Sequence, residues 1–238
     1  MAHLNFSPTG ESPRIVGSSG NSAELRALTP QAAAQACDLV EIRLDLLLQE
    51  NGDVDRSVWA HLTGLPLLFT ARRPSEGGAG GLDAASRSEL LRCVLDDAAM
   101  IDIEVASIAE MADILGEIRQ REIPWIASCH DFDKLPDSAW LRAVEKQAES
   151  AGATVFKAAA MLHTPADLAH LAEFQLAPHE LLVSTMGMGA LAPVSRLLCA
   201  QAGSVLNYGY LGGTSTAPGQ WDSTLLRTAV ARLHPIRS

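Results

Sequence analysis

The segment that decides the fold contains two short apolar runs with a helix-forming stretch between them. The runs read Trp125-Ile-Ala-Ser-Cys-His130 and Thr154-Val-Phe-Lys-Ala-Ala-Ala160, and residues 138–151 between them have helix-forming composition. This order is typical of two parallel strands joined by a crossover helix. We therefore take residues 125–160 as a βαβ unit and extend the pattern from it in both directions.

The same alternation continues through most of the chain. We count eight apolar runs, namely Arg14–Ser18, Leu39–Leu46, Leu65–Arg72, Met100–Val105, Trp125–His130, Thr154–Ala160, Leu181–Met186 and Ser204–Tyr210. Helix-forming stretches separate or follow them at Ser22–Ala36, Asp55–Leu62, Ala84–Ala98, Ile108–Glu122, Ser138–Ala151, Pro165–Phe174, Pro193–Gln201 and Trp221–Leu233. Eight βα units predict a closed (β/α)8 TIM barrel, whose chemistry lies at the C-terminal ends of the strands. An open doubly wound sheet is disfavoured because Gly17-Ser-Ser-Gly20-Asn does not match its glycine fingerprint.

Size, charge and cysteine usage narrow the class of protein. A chain of 238 residues that is 47% hydrophobic predicts one domain over residues 1–238, with residues 1–13 as a short loose leader. A formal net charge of −10, without a Lys/Arg-rich run, excludes a general attraction for nucleic acid or anionic lipid. The cysteines lie far apart without a CxxC pair, so we expect reduced thiols, no zinc site and a cytoplasmic location. No apolar stretch is long enough to predict a transmembrane helix.

Lys157 is the residue of the opening segment that most strongly indicates chemistry. No acidic side chain within Ala153–Met161 could neutralise its ammonium group. Burial disfavours the charged form of an amine, and an uncharged buried lysine can form a Schiff base with a carbonyl carbon. The alternative is a lysine near a strand end whose ammonium group reaches solvent.

His130 ends the run that precedes Lys157 by one βα unit. The two side chains would therefore point into the same barrel mouth from neighbouring strands, and histidine is well matched to proton transfer near neutral pH. A structural histidine is the alternative. Cys129 is a weaker candidate nucleophile, because strand alternation places it on the opposite face from His130.

Charged residues also lie at the ends of the second and third runs. Strand alternation places Glu41, Arg43 and Asp45 on one face, which indicates either a polar pocket or a layer of ion pairs inside the barrel. The third run leads through Arg72 and Glu76 into a glycine-rich loop. Such a loop could close over a ligand as a lid, or it could be a tight turn that leaves this pair in solvent.

The last two units offer further candidate binding residues. Met186 and Met188 could form an adaptable apolar wall or could belong to the core, and Arg196 could hold a carboxylate through two parallel hydrogen bonds. Residues 208–220 are rich in small and hydroxyl side chains and end in an amide. They could hydrogen-bond a hydroxylated ligand or could simply connect two elements.

Taken together, these motifs resemble the type I 3-dehydroquinate dehydratases. The resemblance runs from about residue 14 to residue 220 and depends on the order of the motifs Glu41-Ile-Arg43-Leu-Asp45, Arg72 with Glu76-Gly-Gly, His130-Asp-Phe, Lys157, Met188 with Ser195-Arg196, and Ala217-Pro-Gly-Gln220. Two positions depart from the family pattern. Ala192, followed by Pro193, stands where the family commonly has a glycine, and Thr216 stands where it usually has a serine.

The resemblance implies an enzyme that dehydrates 3-dehydroquinate to 3-dehydroshikimate in the shikimate pathway of aromatic amino acid biosynthesis, without a metal or an organic cofactor. It implies that Lys157 forms an imine with the substrate, that His130 transfers protons and that Glu76 orients His130. The substrate-binding residues that it implies are Glu41, Arg43, Arg72, Met186, Met188, Arg196, Thr216, Ala217 and Gln220. It also implies a homodimer that binds a small-molecule substrate.

Two other functions remain open at this point. A class I Schiff-base aldolase would use the same lysine, but no recognisable phosphate loop follows the last two runs, where such barrels often hold phosphate. A non-catalytic barrel that binds a carboxylated polyol would need Arg196 and Glu41, but neither Lys157 nor His130. The presence of both residues favours the dehydratase.

Overall fold

Eight parallel strands form a nearly closed barrel in the computed structural model, which describes residues 13–234 and residue 236. The strands are β1 (Arg14–Ser19), β2 (Leu39–Arg43), β3 (Leu67–Thr70), β4 (Met100–Glu104), β5 (Trp125–Asp131), β6 (Val155–Met161), β7 (Leu182–Met188) and β8 (Leu206–Tyr210). They pair in the order β7-β6-β5-β4-β3-β2-β1-β8. The predicted (β/α)8 barrel is confirmed.

Helices cover the outside of the barrel between successive strands. They are α1 (Ser22–Ala27), α2 (Pro30–Ala36), α3 (Leu44–Asn51), α4 (Ala84–Arg92), α5 (Ala112–Gln120), α6 (Ser138–Ser150), α7 (Pro165–Leu176), α8 (Ala192–Gln201) and α9 (Ser223–Val230). The helix predicted over residues 22–36 is two helices, because Pro30 disfavours helical backbone at Thr29, whose side chain instead caps α2. The stretch predicted as a helix over residues 55–62 contains only a 3₁₀ turn, Arg56–Val58.

The end of β2 also differs from the prediction. The strand ends at Arg43 and α3 begins at Leu44, so Asp45 lies in the first turn of a helix rather than on the strand face. A carboxylate is favourable there because the first turn exposes unpaired backbone N–H groups. Asp45 nevertheless stays close to Arg43, as the site geometry below shows.

The barrel interior is apolar at the bottom and polar at the top. Buried apolar side chains from all the strands form one cluster inside the barrel, namely Val16, Leu39, Leu68, Met100, Ile126, Val155, Ala159, Met186, Leu206 and Tyr208. Of these, Ala159, Met186 and Tyr208 reach the polar upper end. Buried charged residues lie further along several of these strands, including Glu41, Asp102 and Lys157. The C-terminal ends of the strands therefore enclose a polar, water-poor site above a dry core.

The join between β7 and β8 differs from the other joins of the barrel wall. These two strands form no ladder in the described part of the chain. The amide of Val205 donates to the carbonyl of Val183 at 3.0 Å, and the Ser184 hydroxyl donates to the carbonyl of Leu206 at 2.6 Å. A serine side chain thus supplies a hydrogen bond that a backbone amide supplies elsewhere.

Two sequence-based expectations concern features beyond the barrel itself. The leader predicted at residues 1–13 lies outside the described residues except for Pro13, which is buried directly before β1. Within the described ranges, no helix has the length and apolar character needed to cross a membrane.

Candidate active site

A pocket lies at the C-terminal ends of the strands. Its atom-free space, including the open mouth, is about 530 Å³. It is lined by every residue assigned above to catalysis or binding, namely Glu41, Arg43, Arg72, Glu76, His130, Lys157, Met186, Met188, Arg196, Thr216, Ala217 and Gln220. Gly77, Phe132, Ala159 and Tyr208 complete the lining.

Lys157 forms an ion pair inside the barrel. Its Nζ lies 2.6 Å from Oδ2 of Asp102, and both side chains are buried. The expectation of a lysine without an acidic partner is therefore wrong, because the partner comes from β4, two strands away. Asp102 also accepts hydrogen bonds from Arg72 Nη1 at 3.0 Å and from Ser128 Oγ at 2.6 Å. Burial acts to raise the pKa of Asp102, but the charges of Arg72 and Lys157 hold it well below its usual range, so the carboxylate stays ionised.

Arg72 belongs to a buried network rather than to a pair in solvent. Its Nη1 donates to Oε1 of Glu104 at 2.9 Å as well as to Asp102, and the other oxygen of Glu104 accepts from Arg87 on α4 at 2.7 Å. Burial acts to lower the pKa of Arg72, but Asp102 and Glu104 raise it well above its ordinary value. Charges of alternating sign thus run from α4 to Lys157. Such a network fixes geometry, because removing one partner leaves an uncompensated buried charge.

His130 and Glu76 form a second pair in the pocket. Oε2 of Glu76 accepts from the backbone N–H of His130 at 2.8 Å and lies 2.9 Å from its Nδ1. When Glu76 is ionised its carboxylate can only accept, so Nδ1 then carries the ring proton and Nε2 is left as the basic nitrogen. Burial, followed by the charges of Arg72 and Lys157, holds the pKa of His130 well below its usual range. The imidazole is therefore neutral at physiological pH and can accept a proton.

Glu76 titrates unusually high for a carboxyl group. Burial, with repulsion from Glu104 and Asp102, raises the pKa of Glu76 to about 7 although Arg72 opposes the change. Its charge therefore changes near neutral pH, which is where it would affect the imidazole that it contacts.

Arg196 is buried on α8 without an acidic partner in the described part of the chain. Its Nη1 donates to the backbone carbonyl of Tyr208 at 2.8 Å and contacts the sulfur of Met186 at 3.4 Å. Its Nε has no hydrogen-bond partner among the described residues. Burial lowers the pKa of Arg196 to about 10, so the guanidinium keeps its charge at neutral pH. An unpaired, desolvated guanidinium in a pocket wall is a ready site for a carboxylate.

Glu41 and Arg43 do not pair with each other. Oε1 of Glu41 accepts from the Thr70 hydroxyl at 2.8 Å. Arg43 instead makes a two-point contact with Asp45, from Nε at 2.9 Å and from Nη2 at 2.7 Å. The predicted layer of ion pairs is therefore limited to Arg43 and Asp45, and the Glu41 carboxylate faces the pocket.

The loop after β8 closes one side of the pocket. The backbone N–H of Thr216 donates to Oε1 of Gln220 at 3.0 Å, and the Thr216 hydroxyl lies 3.0 Å from Oγ of Ser18. The amide of Gly189, directly after β7, donates to the carbonyl of Pro218 at 3.2 Å. Threonine thus supplies the hydroxyl that a serine would supply at this position.

The other departure from the family pattern is also accommodated. Ala192 has φ −55° and ψ −46°, a helical conformation that any residue adopts. It begins α8, with Pro193 in the first turn, where a missing N–H costs nothing. Glycine is therefore not required there.

Sequence reasoning missed several residues that the barrel brings into the site. Asp102 and Glu104 lie within the fourth run in the same alternation of charged and apolar residues that drew attention to the second run, so this signal was available. Tyr208 is an aromatic residue within the eighth run, and nothing local distinguishes it from core. Among the described residues, no group of three or more His, Cys, Asp or Glu side chains is placed to hold a metal ion.

Comparison with known proteins places the chain in a family. A family profile described as type I 3-dehydroquinase matches residues 18–236. A 3-dehydroquinate dehydratase of Methanothrix thermoacetophila is 33% identical over 220 residues, which is 92% of each chain. The crystal structure of the 3-dehydroquinate dehydratase from Geobacillus kaustophilus superposes with a TM-score of 0.81 at 25% identity, covering 96% of this chain and 97% of that one. A type I 3-dehydroquinate dehydratase from Clostridium difficile has a TM-score of 0.82 at 24% identity, covering 97% and 96%, and shares the fold. The resemblance in the motifs is thus confirmed, and the chain belongs to the type I 3-dehydroquinase family.

Proposed function

We propose that this protein dehydrates 3-dehydroquinate to 3-dehydroshikimate and water through an imine on Lys157, as a step of the shikimate pathway. Membership of the family supports the overall reaction. The observation that carries the imine proposal is a buried amine on β6 with a neutral imidazole on the neighbouring strand, both lining one pocket. The unpaired guanidinium of Arg196 in the same pocket supports a carboxylated substrate.

In this proposal, Arg196 binds the substrate carboxylate and thereby fixes the orientation of the ring. The opposite wall, with Glu41, Arg43 and Arg72, contacts ring hydroxyls or orders the site. The apolar wall of Met186 and Met188 and the loop residues Thr216, Ala217 and Gln220 enclose the ligand.

Imine formation needs an uncharged amine, whereas Lys157 rests beside an ionised carboxylate. His130 Nε2 is the neutral base that can take a proton from the ammonium group, which frees the nitrogen lone pair to attack the ketone carbon. The C=O electron pair moves onto the oxygen, which takes a second proton from the nitrogen to give the carbinolamine. The first proton then returns from His130 to the carbinolamine hydroxyl, which leaves as water as the C=N bond forms, and the imine nitrogen keeps one proton and a positive charge. Asp102 remains beside the nitrogen and balances its positive charge before and after the reaction.

The protonated imine draws electrons away from the adjacent carbon, so the C2 proton becomes acidic enough for His130 to remove. The C–H electron pair forms an enamine and neutralises the nitrogen. The enamine then expels the hydroxyl at C1, which leaves as water after His130 returns the proton. Water finally hydrolyses the product imine and releases the lysine.

Borohydride trapping tests the proposal directly. After incubation with 3-dehydroquinate and reduction, the mass of the intact protein should increase by one ligand less one oxygen atom, because reductive amination loses water and gains two hydrogen atoms. Lys157→Ala should abolish both this adduct and the formation of the enone. The chain contains two other lysines, Lys134 and Lys146. Lys146→Ala, on the exposed face of α6, is the matched control and should keep both.

The results separate the candidate functions. No adduct and no enone from the wild-type protein would contradict the proposal and favour a barrel that only binds its ligand. An adduct without any enone would favour other Schiff-base chemistry, such as that of an aldolase.

We infer three further properties that follow from the family resemblance and composition. They are a single-domain organisation, a cytoplasmic location and a homodimeric state. The free cysteines among the described residues support a reducing compartment. The homodimer rests on the resemblance alone.

A further inference from the structure

Tyr208 occupies a central position in the pocket that the proposed mechanism does not use. The residue lies on β8, is 3% exposed and lines the pocket. Its ring lies against the reactive amine, with Lys157 Nζ 4.5 Å from the ring centroid. Its backbone carbonyl accepts the hydrogen bond from Arg196. Tyr208 is thus close to both the amine and the guanidinium.

The hydroxyl of Tyr208 is buried and has no hydrogen-bond partner among the described residues. The only other pocket-lining residue with such an atom in the described part of the chain is Arg196, at Nε. Leaving a buried hydroxyl unpaired is destabilising, and phenylalanine could fill the same space without that cost. A tyrosine here is therefore explained most simply by a partner that arrives with the ligand.

The charges around the Tyr208 phenol indicate which ligand group would bind to it. Burial, followed by the negative charges of Glu41 and Asp102, raises the pKa of the Tyr208 phenol well above its ordinary value. The phenol therefore keeps its proton at neutral pH and can donate a hydrogen bond. Glu41, whose one hydrogen bond in the described structure is to Thr70, can accept one more. A ligand hydroxyl satisfies both groups, since it can accept from the phenol and donate to the carboxylate.

We propose that the Tyr208 hydroxyl recognises the substrate by donating a hydrogen bond to the hydroxyl on the ring carbon next to the ketone that Lys157 attacks. Because the amine lies over the phenol ring, the carbon that bonds to the amine and its neighbour come within reach of the phenol oxygen. The site thereby selects a cyclic α-hydroxy ketone. This inference rests on the proposed imine chemistry at Lys157.

Tyr208→Phe tests the proposal, because it removes the hydroxyl and keeps the ring. We expect kcat/KM for 3-dehydroquinate to fall by about 3- to 30-fold, the effect of one lost hydrogen bond, while the thermal unfolding midpoint stays the same or rises. Tyr210→Phe, the same change two residues along β8 at a partly exposed position, is the matched control and should change neither quantity. A structural role for the hydroxyl would instead lower the unfolding midpoint.

A second substrate identifies the oxygen that is recognised. An analogue of 3-dehydroquinate without the hydroxyl next to the ketone should be used equally well by the wild type and by Tyr208→Phe. An equal loss on both substrates would overturn the assignment, and so would an unchanged kcat/KM on 3-dehydroquinate or a fall in the unfolding midpoint.

The wild-type protein is assayed first, so that the two proposals fail separately. Turnover and a trapped adduct with no effect of Tyr208→Phe would overturn only the role of the hydroxyl. Absence of turnover and of adduct in the wild type would overturn both proposals.

Discussion

Glu76 contacts the imidazole of His130, and the charge of the Glu76 carboxyl group affects the basicity of that ring. The Glu76 oxygen that lies 2.9 Å from Nδ1 also accepts from the backbone N–H of His130, so one carboxylate oxygen holds both the ring and the backbone of this residue. The pKa of Glu76 is raised to about 7, first by burial, while the pKa of His130 is held well below its usual range. Near neutral pH, the residue that changes charge in the free enzyme is therefore the carboxyl group.

This assignment predicts the acid side of the pH profile. As the pH rises through about 7, Glu76 loses its proton and becomes the carboxylate that orients and activates the imidazole. We therefore expect kcat/KM to rise with pH and to level off above about pH 7. Glu76→Gln should remove this limb and lower the plateau by at least about 10-fold, the typical effect of a charge-assisted hydrogen bond. Steady-state kinetics between pH 5 and pH 9 make the measurement. A limb that persists unchanged in the variant would assign it to another group.

At the scale of elements, Asp45 connects the end of β2, the end of β3 and the glycine-rich loop. Its side chain is fully buried and accepts from Arg43 twice, from the backbone N–H of Arg72 at 3.3 Å and from that of Ala79 at 3.0 Å. The loop is held further by Arg43, which donates to the Gly77 carbonyl at 3.3 Å. A Cβ on Gly77, whose φ is +84°, would lie 2.6 Å from the Phe132 ring, so glycine permits this close contact. The predicted lid is thus anchored against the barrel at several points.

We expect Asp45→Asn to loosen this loop without affecting the amine. The neutral amide cannot hold the Arg43 guanidinium through two oxygens, so the segment that carries Glu76 loses its anchor. Hydrogen exchange should speed up in residues 76–80 and kcat should fall about 10-fold or more, while borohydride still traps an adduct, because Lys157 lies on β6. Asp83→Asn, an equally good N-cap at the start of α4, is the control. Unchanged exchange in the loop would contradict the role of Asp45.

At the scale of the whole molecule, closure of the barrel depends on the contact between β7 and β8. The other neighbouring strands are joined by ladders, whereas this join uses the Ser184 hydroxyl and the amide of Val205. The site spans this join, since Lys157 pairs in register with Ser184 on β7 and Tyr208 lies on β8. The geometry of the pocket therefore depends on a part of the wall with few backbone hydrogen bonds.

Ser184→Ala should weaken this join. Loss of the 2.6 Å hydrogen bond to Leu206 is expected to lower the free energy of unfolding by about 1 kcal/mol, measured by urea denaturation, and to accelerate hydrogen exchange at Val205. Ser88→Ala, which removes a hydroxyl from the outer helix α4, should stay within about 0.5 kcal/mol of the wild type. Equal stabilities of the two variants would show that the join does not depend on Ser184.

The sequence by itself determined the number and order of the βα units, because apolar runs with helix-forming stretches between them are local patterns that chain neighbours establish. It also indicated which strand ends carry chemistry, since a charged residue such as Lys157 or Glu41 in an apolar run is visible without any partner. One of its errors lies at the end of an element. Asp45 was assigned to β2 because strand alternation cannot show that the backbone turns into a helix at Leu44.

Only the tertiary structure decided which charges neutralise one another. Asp102 is 55 residues from Lys157 along the chain, and the two meet because β4, β5 and β6 are adjacent in the barrel. The same applies to Arg72 with Glu104, and to the Tyr208 ring beneath the amine. Pairing across a barrel depends on strand order and register, which arise from the closure of the whole sheet, so no local pattern could have shown that the amine has a partner or that the phenol lacks one in the described part of the chain.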